Sequence, residues 1–162
     1  MHARRSLTDR QPCGRRGRAT RYGAAVLEGV IVLTVFLTMV FALFDLGLAA
    51  LRQNALAEGA RRLAREAIVH GDLAGPQRTS WGPAQFTGTA ADASEIGRAI
   101  RPALVTLNPA DVQVQITWPD NDNSSGDRVS IRVACAHRTI LPRLFGSSTL
   151  QLRAESTMRI DH

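Results

Sequence analysis

Residues 29–44 read GVIVLTVFLTMVFALF, sixteen positions without a charge, and apolar character resumes after Asp45 as LGLAAL at 46–51. Counted from Ala24 to Leu51 the stretch holds 28 residues, which as a helix is about 42 Å long at about 1.5 Å per residue. A bilayer's hydrocarbon core is about 30 Å thick, so the stretch crosses it with some tilt. The span predicts a transmembrane helix over 24–51; the alternative is the core helix of a soluble domain.

The flanks orient the span. Residues 1–23 carry seven arginines (4, 5, 10, 15, 16, 18 and 21) against one acid, Asp9, whereas the remaining 139 residues hold thirteen arginines and thirteen acids. The formal charge of +6 therefore resides in the leader, and the body is neutral. With no basic body and only eight aromatic residues, a phosphate-tracking or base-stacking surface is not expected, which sets nucleic acid aside as a partner. An arginine-rich flank before the span predicts a cytoplasmic N-terminus and an extracytoplasmic C-terminal part. All twenty cationic side chains are arginine, for which genomic codon bias suffices as an explanation.

A cleaved secretory signal would share the basic leader, and Ala55-Leu56-Ala57 has the small-x-small form of a signal-peptidase site. The apolar run is longer than the usual h-region of about 7–15 residues. Glu28 also lies inside its N-terminal edge, where a signal peptide has no use for a carboxylate. An acid within a membrane helix costs up to about 2.5–3.5 kcal/mol at the centre and less near the interface, so it usually has a partner. Immediately before the span the chain reads Arg21-Tyr22-Gly23-Ala24-Ala25-Val26-Leu27-Glu28. A glycine following a basic leader, with a glutamate five residues on, resembles the type IV prepilin processing site. That resemblance implies cleavage between Gly23 and Ala24 by a membrane aspartyl peptidase on the cytoplasmic side. Cleavage would remove all seven leader arginines and create an amine at Ala24, four residues from Glu28. The amine of one helix could then neutralise Glu28 of its neighbour and set the axial register of a stack, since an unpaired charge among apolar helices is penalised. The plainer reading of Glu28 is a carboxylate that reaches the headgroup region.

GAAVLEGVIVL at 23–33, Asp45-Leu46-Gly47 and the Glu58–Arg61 string EGAR together resemble the TadE-like pseudopilins of the tight-adherence (Flp) pilus machinery. The likeness is strongest over 21–71 and returns in LQLRAESTMRID at 150–161. It implies a non-enzymatic minor pseudopilin held in the inner membrane. Its implied partners are the prepilin peptidase, neighbouring pilus or pseudopilus subunits, the inner-membrane assembly platform and membrane lipid. Glu28 is followed by Gly29 where major Flp pilins typically carry Glu-Tyr. Asp45 lies 17 residues beyond Glu28, about 25 Å along a helix, so it is expected to mark the outer boundary or to meet an arginine of an adjacent subunit. Thr34 and Thr38 are expected to bond back to their own helix.

Beyond the span the helix continues as an amphipathic extension over 52–70. Leu56, Ala60, Leu63, Ala64, Ala67 and Ile68 form its stripe. Glu58 with Arg62, and Arg62 with Glu66, are spaced for ion pairs, and Gly71 is expected to stop the helix. Residues 71–162 form the exported domain. The Gly- and Pro-containing stretch 71–91 reads as an irregular loop. Asp92, with Glu95 three residues on, is a candidate N-cap for a helix carrying Ile96, Ile100, Ala103, Leu104 and Leu107, kinked at Pro102. Three alternating runs follow: Val112 to Trp118, Val129 to His137 and Leu150 to Ile160. The fold expectation is α+β: a long N-terminal helix packed on a small three-stranded antiparallel sheet, the pilin-like arrangement.

Candidate chemistry is sparse. PDNDNSSGD at 119–127 offers oxygen ligands for calcium, but its glycine is one place late for an EF-hand and the final acid is missing, so a polar hairpin loop is expected. Cys135 and His137 share a strand face without further ligands at metal spacing, so core packing is expected. Cys13 lies in the leader, on the other side of the span from Cys135. In TILPRLFGSS at 139–148, Ile140, Leu141, Leu144 and Phe145 are expected to cap the sheet edge or face a partner. No phosphate loop, zinc motif, nucleophile elbow or acidic dyad occurs. No catalytic residue, metal site or cofactor is expected. The competing function is a signal-anchored periplasmic binding module that does not polymerise.

Overall fold

The computed structural model describes residues 19–140, 142, 146 and 148–161, with residues 19–22 as helical backbone alone. The leader expectations for residues 1–18, Cys13 included, lie outside the described residues, as do those for Leu141, Leu144 and Phe145. The chain divides into a unit ending at Val40 and a second from Phe41 onward. The first is helix. Helix α1 spans Ala19–Ala67, 49 residues, so it starts five residues before the expected Ala24 and passes through Gly23 without a break.

In the second unit α1 contributes one buried stripe. Leu56, Ala60, Leu63 and Ala64 are wholly buried and Ala67 nearly so, at the spacing of three and four that the sequence predicts. The stripe reaches further back than expected. Asp45 and Ala49, placed by sequence inside the 24–51 span, are buried as well, four residues apart and on the same face. α1 ends at Ala67, and i→i+3 bonds from Val69 to Glu66 and from His70 to Ala67 tighten the exit.

Four strands form one antiparallel meander in the order β1-β2-β3-β4: β1 Phe86–Thr89, β2 Val112–Thr117, β3 Arg128–Arg138 and β4 Thr149–Arg159. The expected sheet had three. The additional strand lies in the stretch read as irregular loop. β1 is four residues long, contains Gly88 and has a single large apolar side chain, so it lacks the alternation by which the others were found. Its partner supplies the missing order, with Phe86 opposite Ile116 and Thr89 opposite Gln113. β2 buries Val112, Val114 and Ile116, and β3 buries Val129, Ile131, Val133, Cys135 and His137. The period of two places all of these on one sheet face. β4 completes the layer with Leu152, while Ile160 just beyond it is buried too.

The expected helix over 92–107 is shorter. α2 covers Glu95–Ile100 and passes into a 3-10 turn at Arg101–Ala103. Pro102 has no N–H to continue the i→i−4 ladder, so the α-helix gives way to the 3-10 turn there rather than kinking. The N-cap is Ser94, whose hydroxyl accepts from Gly97 N at 3.2 Å. Asp92 accepts from Thr89 N at 2.8 Å and from the Thr89 hydroxyl at 3.0 Å, closing the turn after β1. Arg101 fixes this corner by donating to the carbonyls of Ala90, Ala91 and Asp92 at 2.6–2.9 Å.

Gly59 is where α1 and α2 meet. A Cβ at this position would lie 3.2 Å from Ile100 Cγ1, closer than ordinary contact, so the glycine permits the approach. Ile100 is itself fully buried. Gly59→Leu is expected to force the two helices apart and to lower the thermal midpoint by several degrees, corresponding to about 1–3 kcal/mol of overpacking. Calorimetry in detergent micelles measures the shift, and an unchanged midpoint contradicts the packing role.

Candidate functional site

The first candidate surface is the apolar helix. Within Gly23–Ala67 the most apolar eighteen-residue window has none of its residues buried inside the chain, and among the described residues this is the one helix long and apolar enough to cross a membrane. Val30, Ile31, Val32, Leu33, Val35, Phe36 and Met39 are all exposed, on every side of the helix. A soluble core helix hides its apolar stripe; this segment hides none, which makes it a single N-terminal membrane anchor. The Thr34 and Thr38 hydroxyls donate back to the carbonyls of Val30 at 2.7 Å and Thr34 at 2.8 Å, so neither needs an external partner.

Glu28 lies in this surface with its side chain exposed, and it has no ion pair among the described residues. Gly23 and Ala24 are exposed helical residues five and four positions before it. The backbone places Ala24 one helical turn from Glu28, close enough along one face to share a charge environment.

Asp45 has a different setting. Its side chain is about 2 % exposed, and Oδ1 lies 2.9 Å from Nε2 of His137, which is about 1 % exposed. Oδ2 accepts from Ile140 N at 2.9 Å. The other ring nitrogen, His137 Nδ1, lies 2.7 Å from Arg52 Nη1. A guanidinium can only donate, so Nδ1 is the acceptor and the ring hydrogen sits on Nε2, directed at Asp45. The row Arg52–His137–Asp45 thus runs donor to acceptor throughout. It joins two turns of α1 to the last residues of β3, and Gln53 adds a bond of 2.7 Å to the Arg153 carbonyl of β4. Sequence reasoning placed Asp45 at a boundary or opposite a neighbouring subunit. Here both its oxygens are engaged within the chain, and nothing in the local sequence announces that His137, 92 residues away, is the partner.

Cys135, next inward on the same strand face, is buried. Burial first, then the nearby Asp111 carboxylate, pushes its thiol above the ordinary range, with Arg52 opposing. A thiol held protonated is a packing group and a poor nucleophile.

In the 119–127 loop the oxygens serve the hairpin. Asp120 takes a bidentate contact from the Arg128 guanidinium, at 3.0 and 2.6 Å, and accepts from its backbone N–H at 2.9 Å. Asp122 accepts from Asn123 N and the Ser124 hydroxyl. Asn123, about 1 % exposed, accepts from Trp118 Nε1 at 2.7 Å and donates to the His70 carbonyl at 3.1 Å and the Ser80 hydroxyl at 2.8 Å. It ties the loop to the exit of α1. Gly126 turns the chain back at φ +97°, a conformation that favours glycine.

Residues 23–65 match the family model described as TadE-like protein. The matched segment is TadE-like. It takes in Gly23, Ala24, Glu28 and Asp45, the uncharged run 29–44 and the buried stripe as far as Ala64. No curated protein and no solved structure matches the chain.

Two outcomes test this geometry. Asp45→Ala strands the buried His137 Nε2–H and takes the acceptor from the part-buried Ile140 N–H, and is expected to lower stability by about 3 kcal/mol. Asp45→Asn keeps an acceptor for His137 but turns an amide donor on Ile140 N, so it is expected to fall between; denaturant unfolding in micelles ranks the three proteins. In the loop, hydrogen bonds from the Arg128 side chain and backbone lower the Asp120 carboxyl from 3.8 to about 2. A depressed folded value means the contribution is present above about 3.8 and is lost as pH falls toward 2. An NMR titration of the Asp120 carboxyl carbon is expected to have its midpoint near 2, and Arg128→Ala to move it up toward 3.8.

Proposed function

We propose that this protein is a minor pseudopilin: a non-enzymatic pilus-assembly subunit anchored in the inner membrane by the 24–51 span, with its N-terminus cytoplasmic and residues 52–162 extracytoplasmic. The observation that carries the reading is Glu28, without an ion pair among the described residues, on the N-terminal part of a helix whose most apolar stretch is not buried in the chain, inside a segment that matches TadE-like proteins. A helix of this kind needs an apolar surrounding along its length and a cation for one carboxylate. A bilayer supplies the first, and adjacent copies of similar helices supply both.

On this reading a prepilin peptidase cuts between Gly23 and Ala24, and the new amine of one subunit meets Glu28 of the next. The seven leader arginines hold the N-terminus on the cytoplasmic side until then. Partners are the peptidase, other pilus or pseudopilus subunits and the inner-membrane platform that moves them; neither catalysis nor a cofactor is part of the role. A second reading, an uncleaved signal-anchored periplasmic binding module, is favoured by one feature: α1 runs from Ala19 through Gly23 as unbroken helix, so the scissile bond must fray before a peptidase can hold it extended.

Mass spectrometry of the protein recovered from its own cells separates the two. A mature N-terminus at Ala24 is expected; Met1 retained supports the uncleaved anchor, and a start near Glu58 a secreted domain. Glu28→Leu is expected to leave membrane insertion intact while removing co-purification with neighbouring pilus subunits, and normal co-purification refutes the charge-pairing account.

A further inference from the structure

At the far end of α1 a polar cleft of about 500 Å³ is lined by Arg62, Glu66, His70, Gln77, Arg78, Trp81, Glu95, Arg98 and Ala99. Its size falls in the range of about 300–1,000 Å³ common for small-molecule sites. Three separate elements supply the guanidiniums: Arg62 from α1, Arg78 from the loop after it and Arg98 from α2. The i,i+4 pairs expected for Arg62 do not form. Glu58 lies 3.8 Å from Arg61, and Glu66 lies 3.8 Å from His70 Nε2. Among the described residues none of these three guanidiniums has an ion pair.

The aromatic wall of the cleft is held in place. Trp81 stacks on His70 with centroids 4.3 Å apart and planes 13° from parallel. Its backbone N–H donates to the His70 carbonyl at 3.1 Å, and its indole N–H donates to Glu95 Oε2 at 3.3 Å. His70 Nδ1 faces the Thr79 carbonyl at 2.6 Å, so Nδ1 carries a hydrogen. The same His70 carbonyl also receives Asn123 from the buried network. An indole fixed from several sides loses little freedom when a ligand covers its remaining surface.

We propose that this cleft binds an acidic saccharide, a short uronate-type oligosaccharide. Guanidinium forks match a carboxylate in charge and geometry. Three guanidiniums against the two carboxylates of Glu66 and Glu95 leave one net positive charge, which favours an anionic saccharide over a neutral one. Glu66, Glu95 and the Gln77 amide accept from ring hydroxyls, which a phosphate or an acidic peptide does not offer in number. The indole covers the C–H face of a sugar. Nothing in this assignment depends on whether residues 1–23 are removed.

The test uses the full chain in detergent micelles, titrated with trigalacturonate, maltotriose, inorganic phosphate and triglutamate, and followed by tryptophan fluorescence and calorimetry. A saturable response to trigalacturonate is expected, with none to the other three at equal concentration. Arg62→Ala combined with Arg98→Ala is expected to weaken binding by about tenfold or more, with the far-UV circular dichroism unchanged. Arg78→Gln, on an exposed loop, gives a smaller loss and carries the test if the double variant does not fold. An absent response, an equal response to phosphate, triglutamate or maltotriose, or binding unaltered in folded variants overturns the proposal.

Discussion

A carboxylate can be buried on an apolar helix only where its oxygens meet donors, and Asp45 meets that condition through residues far along the chain. His137 offers a ring N–H because Arg52 occupies its other nitrogen, and the backbone N–H of Ile140 takes the second oxygen. The row is cooperative in the plain sense that each bond sets the direction of the next. Asp45 is the first buried residue along α1 among those described. It also fixes the rotation of the helix, since turning α1 by one residue would withdraw the carboxylate and raise Ala49, Leu56 and Leu63 out of the core.

From that anchor the packing follows from side-chain size. Ala49, Gly59, Ala60, Ala64 and Ala67 keep the backbone of α1 close to what covers it, and Leu56 and Leu63 fill the intervals. The sheet answers with β-branched residues, Val112, Val114, Ile116, Val129, Ile131 and Val133, all on one face. Between Gly29 and Phe44 the same helix carries no charge and its apolar side chains stand on every side, with no stripe to single out one face. One helix thus meets two solvents along its length, and the change of solvent is marked by a single acid.

Much of this was legible in the sequence, because periodicity reports burial. The uncharged run, the stripe from Leu56 to Ile68 and the alternation in β2, β3 and β4 are local patterns that exist only if one side of an element faces something apolar. The exceptions are equally physical. β1 takes its order from pairing with β2, and a strand of four residues around a glycine has no pattern of its own to read. The α2 cap moved from Asp92 to Ser94 because Asp92 is held by the turn that ends β1. The stripe of α1 begins at Asp45, inside a run where apolar residues stand on all sides and no periodicity separates the face that packs from the face that does not.

The sequence by itself determined that one apolar helix, led by arginines and interrupted by two acids, precedes a neutral α+β unit, since charge and hydropathy act locally and are read in order. Only the tertiary structure decided that the two acids differ, Glu28 standing open and Asp45 closed by His137. Only the fold, likewise, brought Arg62, Arg78 and Arg98 to one cleft. Both depend on residues remote in the chain meeting in space, and the meeting is set by the register of a four-stranded sheet against one face of α1, which no local pattern encodes.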